Sequence, residues 1–579
     1  MKILLIAINA KYIHSNLAVY SLKAYAKEYQ EYIDIAEYTI NHRTDFLIRE
    51  IYKQKPDVLC FSCYIWNVRY VLELAAEIHK VLPKAAIWAG GPEVSYEPEL
   101  FLQQCPMAAG VMIGEGEAVF RELCASYING KGKDAWKEIA GLVYRDESGE
   151  LVRTAKREAL EMDELPFCYQ ELKDFQNRII YYETSRGCPF SCSYCLSSIE
   201  KGLRFRSLEL VKRELQFFLD HEVHQVKFVD RTFNCNHRHA MAIWEYLKEQ
   251  DNGVTNFHFE ISADLLTEEE IALIASMRPG LIQLEIGVQS THEATIKEIR
   301  RTMDLPRLTH AVAVLQQAGN VHQHLDLIAG LPGEDFDTFA KSFQQVYQMK
   351  PQQLQLGFLK VLKGSYLYQR QKEYQLLYQV YPPYEVMATR WLSYEEILKM
   401  KLAEEMLEVY YNSMQFQMTI KVLELTEKNP FEIFLNLGEF YEEQGLLAMS
   451  HSRIRRCEIL LEYLQQKDPS HCELYQETMT FDLYYRENMK SRPRWATDLT
   501  AYKELSRHYC PKGKSAHLEP FWYDMEVIRN SKALADYPKK SEKPSFYLFS
   551  YQQRSPLNGQ AKAELVQGAD DGNERCRRE

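Results

Sequence analysis

Residues 186–197 of the chain read Arg186-Gly-Cys-Pro-Phe-Ser-Cys-Ser-Tyr-Cys-Leu-Ser197. Cys188, Cys192 and Cys195 are therefore spaced C-x3-C-x2-C on a segment whose Gly, Pro and Ser residues favour a tight loop. Such a loop can turn three thiolates towards one inorganic centre. Soft thiolate ligands favour zinc or an iron–sulfur cluster.

The number of cysteines in this loop bears on which centre it holds. A structural zinc ion requires four protein ligands, and the nearest other cysteines, Cys168 and Cys235, lie 20 residues before and 40 residues after the triplet. Three thiolates without a local fourth ligand favour a cluster in which one iron is left open. Three unliganded thiols, or part of a zinc site, are the alternatives.

The run Cys188-Pro-Phe-Ser-Cys-Ser-Tyr-Cys195 resembles the signature of the radical S-adenosylmethionine (SAM) superfamily. The resemblance implies that Cys188, Cys192 and Cys195 hold a [4Fe–4S] cluster whose open iron chelates SAM. It also implies that reductive cleavage of SAM yields a 5′-deoxyadenosyl radical, and that Tyr194 lies near the adenine.

The sequence around and after this loop predicts the scaffold that carries it. Strand-like runs alternate with amphipathic helical stretches from residue 179 to residue 370; the runs are Ile179–Thr184, Gln225–Asp230, Asn256–Ile261, Leu281–Ile286, His322–Ile328 and Gln353–Val361. Six such β-α units predict a partial (β/α)6 barrel with its chemistry at the carboxyl ends of the strands. The cysteine loop directly follows the first strand, at that end.

Polar residues at other strand ends resemble those of the oxygen-independent coproporphyrinogen oxidase branch and of cobalamin-dependent radical SAM proteins. The resemblance implies four further SAM contacts: Glu260, Gln289, Arg301 and Asp326. Arg301 stands twelve residues after the glutamine, and its neighbour Arg300 could take the same role. A carboxylate suits ribose hydroxyls and a guanidinium suits a carboxylate. The alternative for each residue is a structural hydrogen bond at a strand end.

Residues 1–135 have a different α/β pattern. Strand-like runs at Lys2–Ile8, Ile33–Tyr38, Val58–Tyr64, Ala85–Ala89 and Gly110–Ile113 alternate with predicted helices, including Val68–Val81. This pattern predicts a doubly wound parallel sheet with its ligand site off the carboxyl strand ends. Small residues at those ends would let a bulky, flat ligand approach the backbone.

A doubly wound domain ahead of such a barrel resembles the cobalamin-binding domain of class B radical SAM proteins. The resemblance implies a cobalamin site among the residues at the carboxyl strand ends, namely Asn9, His14, Ser62, Gly90, Gly91, Gly114 and Glu115. The chain lacks the Asp-x-His-x-x-Gly motif that supplies a lower-axial histidine in other cobalamin proteins. A domain that has lost cobalamin is the alternative, and His14 then serves as a loop or capping residue.

The remaining segments differ in composition. Residues 136–178 are charged and predict a linker, whereas long helical patterns predict a mainly helical domain over residues 380–530. This domain resembles an uncharacterised one that is appended to some bacterial proteins of this class. Residues 552–579 lack hydrophobic periodicity and predict a disordered tail.

Composition bears on the compartment and the partners. The chain has 579 residues, 46% of them apolar, and a net charge of −12, which disfavours bulk nucleic-acid binding. A basic stretch from Arg486 to Trp495 leaves an RNA contact open. The longest apolar runs are strand-length and no signal peptide is visible, so we expect a cytoplasmic protein in which ten of the thirteen cysteines are ordinary thiols.

Taken together, these resemblances imply a radical SAM enzyme that binds a [4Fe–4S] cluster, SAM and cobalamin. The leading expectation is methyl transfer to an unactivated carbon of a small molecule or peptide, with electrons from a donor such as flavodoxin or ferredoxin. Rearrangement or oxidation, RNA modification, and a non-catalytic Fe–S or corrinoid-binding protein are the alternatives. No second N-terminal three-cysteine site, as RNA-modifying methylthiotransferases require, is present in the sequence.

Overall fold

A computed structural model describes residues 1–199, 202–511 and 515–566 of the chain. The N-terminal strands are β1 Ile3–Asn9, β2 Ile33–Thr39, β3 Val58–Ser62, β4 Ala86–Gly90, β5 Ala108–Met112, β6 Leu142–Arg145 and β7 Leu151–Arg153. The helices between them are α1 Leu17–Tyr25, α2 Thr44–Gln54, α3 Val68–Val81, α4 Pro92–Ser95, α5 Pro98–Gln104, α6 Gly116–Ile128 and α7 Gly132–Trp136.

These seven strands form one sheet in the order β2-β1-β3-β4-β5-β6-β7. The first five are parallel and both faces are buried, since alternate residues of β1 such as Leu4 and Leu5 lie in separate hydrophobic cores. Their order reverses between β1 and β3, the position where doubly wound sheets bind ligands. Strands β6 and β7 add an antiparallel edge. The predicted linker over residues 136–178 was therefore wrong in part, because its first half completes this sheet.

The barrel region begins with β8 Ile180–Tyr182. The strands that follow are β9 Ser185–Arg186, β10 Arg204–Phe205, β11 Gln225–Phe228, β12 Asn256–Ile261, β13 Ile282–Gln289, β14 His322–Ala329 and β15 Gln353–Phe358. The helices are α8 Leu208–Asp220, α9 His237–Glu249, α10 Glu268–Ala275, α11 Glu293–Glu298, α12 Leu305–Ala318, α13 Phe336–Gln348 and α14 Tyr366–Gln369.

Six parallel strands make up the barrel sheet, in the order β15-β14-β13-β12-β11-β8. Each strand neighbours the next in the chain, as in a barrel wound from successive β-α units. Apolar positions such as Phe259, Leu284 and Leu325 are fully buried. The positions between them in β12, β13 and β14 are largely polar. The sheet therefore has one apolar face and one polar face.

The C-terminal helices are α15 Tyr394–Leu407, α16 Gln417–Leu423, α17 Pro430–Glu443, α18 Arg453–Lys467, α19 Cys472–Arg486, α20 Lys503–Tyr509 and α21 Met525–Asn530. Two short strands, β16 Leu377–Tyr378 and β17 Val386–Ala388, precede them. The last strands are β18 Ala516–Tyr523, β19 Lys540–Arg554 and β20 Ala561–Leu565.

The helical region covers the β15 edge of the barrel. The Asn412 side chain accepts a hydrogen bond from Leu354 N at 2.9 Å and donates one to Leu354 O at 2.8 Å. The Asn412 amide thus forms hydrogen bonds with the free N–H and C=O of the edge strand, as a neighbouring strand would. Phe431 of α17 packs against Phe343 of α13, with their ring centroids 5.3 Å apart. The barrel and the C-terminal helices consequently share one hydrophobic core.

One expectation about the C-terminal end differs from the structure. The tail predicted from residue 552 was wrong for residues 552–554 and 561–565, which lie in the antiparallel sheet β18-β19-β20. The short strand β20 has only Ala561 buried, so it carries no apolar alternation that sequence could reveal. Residues 567–579 lie outside the described residues.

Two arginines of the basic stretch from Arg486 to Trp495 make contacts within the protein. Arg492 donates to the Glu519 carboxylate at 2.8 Å, and Arg486 donates to the backbone oxygen of Asn558. Within the described ranges, every helix is too short or too polar to cross a bilayer.

Candidate functional site

The loop that carries the three cysteines is closed at its base by the antiparallel pair β9–β10. Gly187 opens the loop with a φ of +91°, and a Cβ there would stand 2.4 Å from the Gly202 oxygen. Only glycine fits this corner without a shift of the backbone. In mid-loop, Ser193 N donates to Ile299 O and Leu367 N donates to Ser193 O, both at 2.8 Å. The loop is thereby held from two other parts of the chain.

Cys188 and Cys192 are buried and Cys195 is partly exposed, and all three are free thiols. Cys188 Sγ lies 3.8 Å from Thr232 Oγ1, and Cys192 Sγ lies 3.9 Å from Arg301 Nη1. Burial raises the pKa of Cys192, and the Arg301 guanidinium acts against that shift. A cation beside a thiol favours the thiolate, the form that binds metal. The donor set therefore fits an iron–sulfur centre.

The corner before the loop is fixed by a buried carboxylate. Asp230, at the end of β11, accepts hydrogen bonds from Thr184 N at 3.0 Å, Thr184 Oγ1 at 2.6 Å and Ser185 Oγ at 2.6 Å. Burial raises the pKa of Asp230, whereas these donors oppose the rise. The carboxylate joins β8, β9 and β11 at the carboxyl edge of the sheet.

Gln289 and Arg301 lie at the same edge, above β13. Gln289 has a φ of +73° at an irregularity in the β13–β14 pairing, and its Oε1 is buried without a hydrogen-bond partner. A non-glycine residue in this region costs roughly 1–3 kcal/mol and is typical of functional sites. The guanidinium of Arg301 contacts Gly287 O, while its Nε is buried and unpartnered. Unpaired buried polar atoms of this kind fit a polar ligand.

Arg300, the other candidate, points elsewhere. Its guanidinium lies over the Tyr366 ring, 3.5 Å from the centroid. Arg301 is therefore the arginine beside the cysteine loop. Tyr194 is also near, since its side chain interacts with Cys192 and Arg301, and burial raises the pKa of its phenol.

Glu260 and Asp326 lie on the polar face of the sheet, together with residues that sequence reasoning did not single out. Lys227 Nζ is 2.8 Å from Glu285 Oε2 and 3.8 Å from Glu260 Oε1. His324 Nε2 is 3.1 Å from Asp326 Oδ1, and His258 Nε2 is 3.1 Å from Glu285 Oε2. The sequence pattern that could have revealed these residues is the alternation of polar and apolar residues along β12, β13 and β14.

Six of the seven N-terminal candidates divide into two groups, and Glu115 is described with Arg186 below. Asn9 and His14 make structural contacts: Asn9 Nδ2 donates to His14 O at 3.0 Å, and His14 Nδ1 lies 2.7 Å from the Tyr181 hydroxyl of β8. Burial lowers the pKa of His14. His14, whose backbone oxygen is held by Asn9, therefore helps to join the N-terminal domain to the barrel.

Ser62, Gly90, Gly91 and Gly114 form the second group, at the carboxyl edge of the N-terminal sheet. Gly91 has a φ of +110°, and a Cβ there would stand 2.5 Å from Cys63 O. A Cβ on Gly114 would meet no atom within 4 Å, so open space adjoins this turn. A further feature that sequence reasoning missed is the pair Tyr64 and Trp66, which stack with centroids 4.3 Å apart. Aromatic rings and bare backbone at one edge fit a large planar ligand.

The two candidate sites are joined by Arg186, which immediately precedes the cysteine loop. Its guanidinium lies 2.7 Å from Glu117, 2.9 Å from Glu183 and 3.4 Å from Glu115. Burial would raise the pKa of Glu117, but Arg186 holds it below its ordinary value. Glu115 also pairs with Arg204 of β10. The turn that holds Gly114 is thus ionically tied to both strands at the base of the cysteine loop.

Comparison with known families agrees with this architecture. Residues 3–124 match the B12 binding domain, residues 182–346 match the radical SAM superfamily, and residues 372–537 match a family described as a protein of unknown function, DUF4080. The chain thus combines a B12-binding domain and a radical SAM domain with a C-terminal domain of unknown function, and it is homologous to cobalamin-dependent radical SAM methyltransferases.

Particular relatives are distant. The chain is 27% identical over 297 residues to the uncharacterized methyltransferase PH0819 of Pyrococcus horikoshii, which covers 49% of this chain and 62% of that protein. It is also 27% identical over 311 residues to the cobalamin-dependent radical SAM methyltransferase TokK of Streptomyces tokunonensis, which covers 49% of this chain and 44% of TokK. The chain therefore spans less than two thirds of the length of these relatives.

Solved structures show the same fold. The cobalamin-dependent SAM radical enzyme OxsB, with aqua-cobalamin and SAM bound, superposes with a TM-score of 0.58 at 16% identity, over 83% of this chain and 78% of OxsB. The radical SAM methyltransferase TsrM from Kitasatospora setae, with cobalamin and a [4Fe–4S] cluster, gives a TM-score of 0.53 at 16% identity, over 63% of this chain and 77% of TsrM.

Proposed function

We propose that the protein is a radical SAM enzyme that works with cobalamin and transfers a methyl group to an unactivated carbon of a small molecule or peptide. The observation that carries the proposal is the loop of three free thiols, bordered by the unpaired polar atoms of Gln289 and Arg301. When bound, the [4Fe–4S] cluster and SAM supply radical chemistry, and cobalamin supplies a methyl carrier.

The residues of the barrel hold and orient these groups. Cys188, Cys192 and Cys195 would bind the cluster, with the Arg301 cation favouring the thiolate form of Cys192. Gln289 and Arg301 offer an acceptor and a donor to the amino-acid part of SAM. Glu260 and Asp326 offer carboxylates to ribose hydroxyls, and Tyr194 would lie near the adenine.

The N-terminal edge would take the cobalamin. Gly90, Gly91, Gly114 and Ser62 expose backbone there, and the stacked pair Tyr64 and Trp66 borders the same edge. Glu115 holds the Gly114 turn against the base of the cysteine loop through Arg186 and Arg204. This arrangement would bring the two cofactors to one space between the domains, as a methyl transfer between them requires.

An external electron donor such as flavodoxin or ferredoxin would reduce the cluster. We further propose that the protein works in a reducing compartment, the cytoplasm, because the nine cysteines from Cys60 to Cys235 are free thiols. The C-terminal domain supports the β15 edge of the barrel and would in this way shape the substrate space.

The cluster assignment is tested with single-cysteine variants of the anaerobically reconstituted full chain. We expect Cys192→Ala to lose most of its iron and its absorbance near about 410 nm, the region of thiolate-to-iron charge transfer. Cys235→Ala is the matched control, because Cys235 is a partly exposed thiol close to Cys188 but outside the motif. A Cys192→Ala variant with full iron content would contradict the assignment.

The reaction is tested by supplying SAM and a reductant, with and without cobalamin. We expect formation of 5′-deoxyadenosine by the wild type and at least a tenfold weaker SAM affinity for Gln289→Ala, measured by equilibrium dialysis. Methylated product only in the presence of cobalamin would support methyl transfer. Formation of 5′-deoxyadenosine together with an oxidised or rearranged product that carries no new methyl group would instead favour another radical reaction.

A further inference from the structure

The polar face of the barrel sheet contains a group of charged residues below the proposed SAM contacts. Glu260 of β12 pairs in register with Glu285 of β13, and Glu285 pairs with His324 of β14. Asp326 lies two residues further along β14. Because Cα partners in a parallel sheet point their side chains to the same face, these groups converge in the interior.

Three of these residues bring donor atoms together. The ligand atoms of Glu285, His324 and Asp326 all lie within 4.8 Å of one another. Metal–ligand bonds of roughly 2.0–2.5 Å place two donor atoms of one ion no more than about 5 Å apart. Two strands therefore hold one imidazole and two carboxylates at the separation that a metal ion requires, with no change in the backbone.

The surroundings of His324 also favour a bound ion, independently of these distances. His324 is 7% exposed, and its Nε2 has no hydrogen-bond partner although it faces Asp326 Oδ1 at 3.1 Å. Asp326 Oδ1 is likewise buried without a hydrogen-bond partner. Two buried polar atoms of β14 thus face each other without a hydrogen-bond partner, an arrangement that a bound cation would satisfy.

The charges of the surrounding groups point the same way. Glu260, Glu285 and Asp326 supply three carboxylates, and Lys227 is the cation in direct contact with Glu285. Arg231 and Arg301 act on these carboxylates from a greater distance, and His258 Nε2 lies 3.1 Å from Glu285 Oε2. Among the described residues, Lys227 pairs with Glu260 and Glu285, whereas Asp326 pairs only with the His324 ring, so a bound cation would supply the partner that Asp326 lacks.

We propose that Glu285, His324 and Asp326 bind a divalent first-row transition-metal ion inside the barrel. One nitrogen and two oxygen ligands suit Mn²⁺, Fe²⁺ or Zn²⁺. Three protein ligands leave coordination positions open towards the barrel interior, so the ion would bind an oxygen-bearing group of the substrate. Asp326 keeps a second carboxylate oxygen for a nucleoside hydroxyl. Lys227 and His258 hold Glu285 in place.

The site is tested with Mn²⁺ on the anaerobically reconstituted full chain, with the cluster oxidised and cobalamin omitted. Free Mn²⁺ is followed by electron paramagnetic resonance, since its six-line signal is lost on binding. We expect about one bound Mn²⁺ per chain, and a dissociation constant at least tenfold weaker for His324→Ala and for Glu285→Gln. His237→Ala is the matched control, because His237 also faces a carboxylate, Glu270 at 3.1 Å, but on the outer helices.

Folding of each variant is checked by its iron content and its thermal unfolding midpoint. If His324→Ala does not fold, His324→Asn replaces it, because asparagine keeps a polar group in the same space. Absence of stoichiometric Mn²⁺ binding by the wild type, or equal binding by Glu285→Gln, would overturn the proposal. Stoichiometric release of Mn²⁺ on addition of SAM would also overturn it, because the sulfonium and ammonium of SAM would then be the cation of this site.

Discussion

Replacement of Arg186 by glutamine is expected to destabilise the contact between the N-terminal domain and the cysteine loop. The guanidinium serves three carboxylates within 3.4 Å, and its side chain is 15% exposed. Glutamine removes the charge and leaves the Glu117 carboxylate, whose side chain is 6% exposed, with the hydroxyl of Ser21 at 2.9 Å and a backbone N–H as donors. The buried carboxylate would then lack a cation.

The expected loss in the free energy of unfolding follows from the burial of the Arg186–Glu117 pair. Removing one partner of a buried ion pair costs about 3–5 kcal/mol, whereas exposed pairs contribute about 0–1 kcal/mol. Arg153→Gln is the matched control, because Arg153 contacts Glu99 through two nitrogens at 2.9 Å but on the surface, at 51% and 41% exposure. We expect Arg186→Gln to lose about 3 kcal/mol or more and Arg153→Gln about 1 kcal/mol or less.

The assay is urea denaturation of the wild type, Arg186→Gln, Glu117→Gln and the double variant, under anaerobic conditions. Since a neutral glutamine needs no cation, Glu117→Gln is expected to recover part of the loss caused by Arg186→Gln. Iron content and bound cobalamin are measured on the same samples, and both are expected to fall in Arg186→Gln. A loss no larger than that of Arg153→Gln, or strictly additive effects of the two substitutions, would refute the reasoning.

Three further predictions concern other parts of the chain. Gly91→Ala is expected to lower the free energy of unfolding by at least about 1–3 kcal/mol and to weaken cobalamin retention, because φ is +110° and the new Cβ would meet Cys63 O at 2.5 Å. Gly149→Ala is the control for backbone strain alone, because Gly149 has a φ of +87° and no atom within 4 Å of the new Cβ. Burial raises the pKa of Glu334 to about 7 from its usual value of 4.5, so the folded state loses stability as pH rises through this window, by up to about 3 kcal/mol. Glu334→Gln should therefore gain stability relative to the wild type between pH 5 and pH 8, and an identical pH dependence of the two urea midpoints would contradict this. Phe431→Ala removes a fully buried ring that packs on Phe343 and should cost about 3–5 kcal/mol in thermal or urea unfolding, with Val527→Ala on the exposed face of α21 as the control.

Local patterns were enough to predict most elements of the two α/β domains. Helix α3 and strand β12 have the predicted bounds, Val68–Val81 and Asn256–Ile261. Both patterns are local, because an apolar stripe or an apolar run bounded by polar turns depends on residues a few positions apart. The cysteine spacing was equally local. The roles assigned to the cysteines and to Tyr194, Glu260, Gln289, Arg301 and Asp326 stay predictions.

Strands with little apolar content were not visible in the sequence. Strands β6 and β7 were assigned to a linker, and β20 to a tail, because short edge strands owe their conformation to a neighbouring strand rather than to their own residues. The polar partners of the N-terminal candidates were also hidden. His14 meets Tyr181 across 167 positions of the chain, a contact that only docking of the domains creates.

By itself, the sequence determined the three-thiol loop and the order of most strands and helices, since both depend on residue type at short spacing. Its resemblance to a known superfamily implied the cofactors. Tertiary structure decided which arginine stands beside Cys192, and it brought Arg186 to Glu117 across 69 positions. It also assembled Glu285, His324 and Asp326 from two strands. These contacts depend on register and packing between distant segments, and so on a free-energy balance over the whole fold that local patterns do not contain.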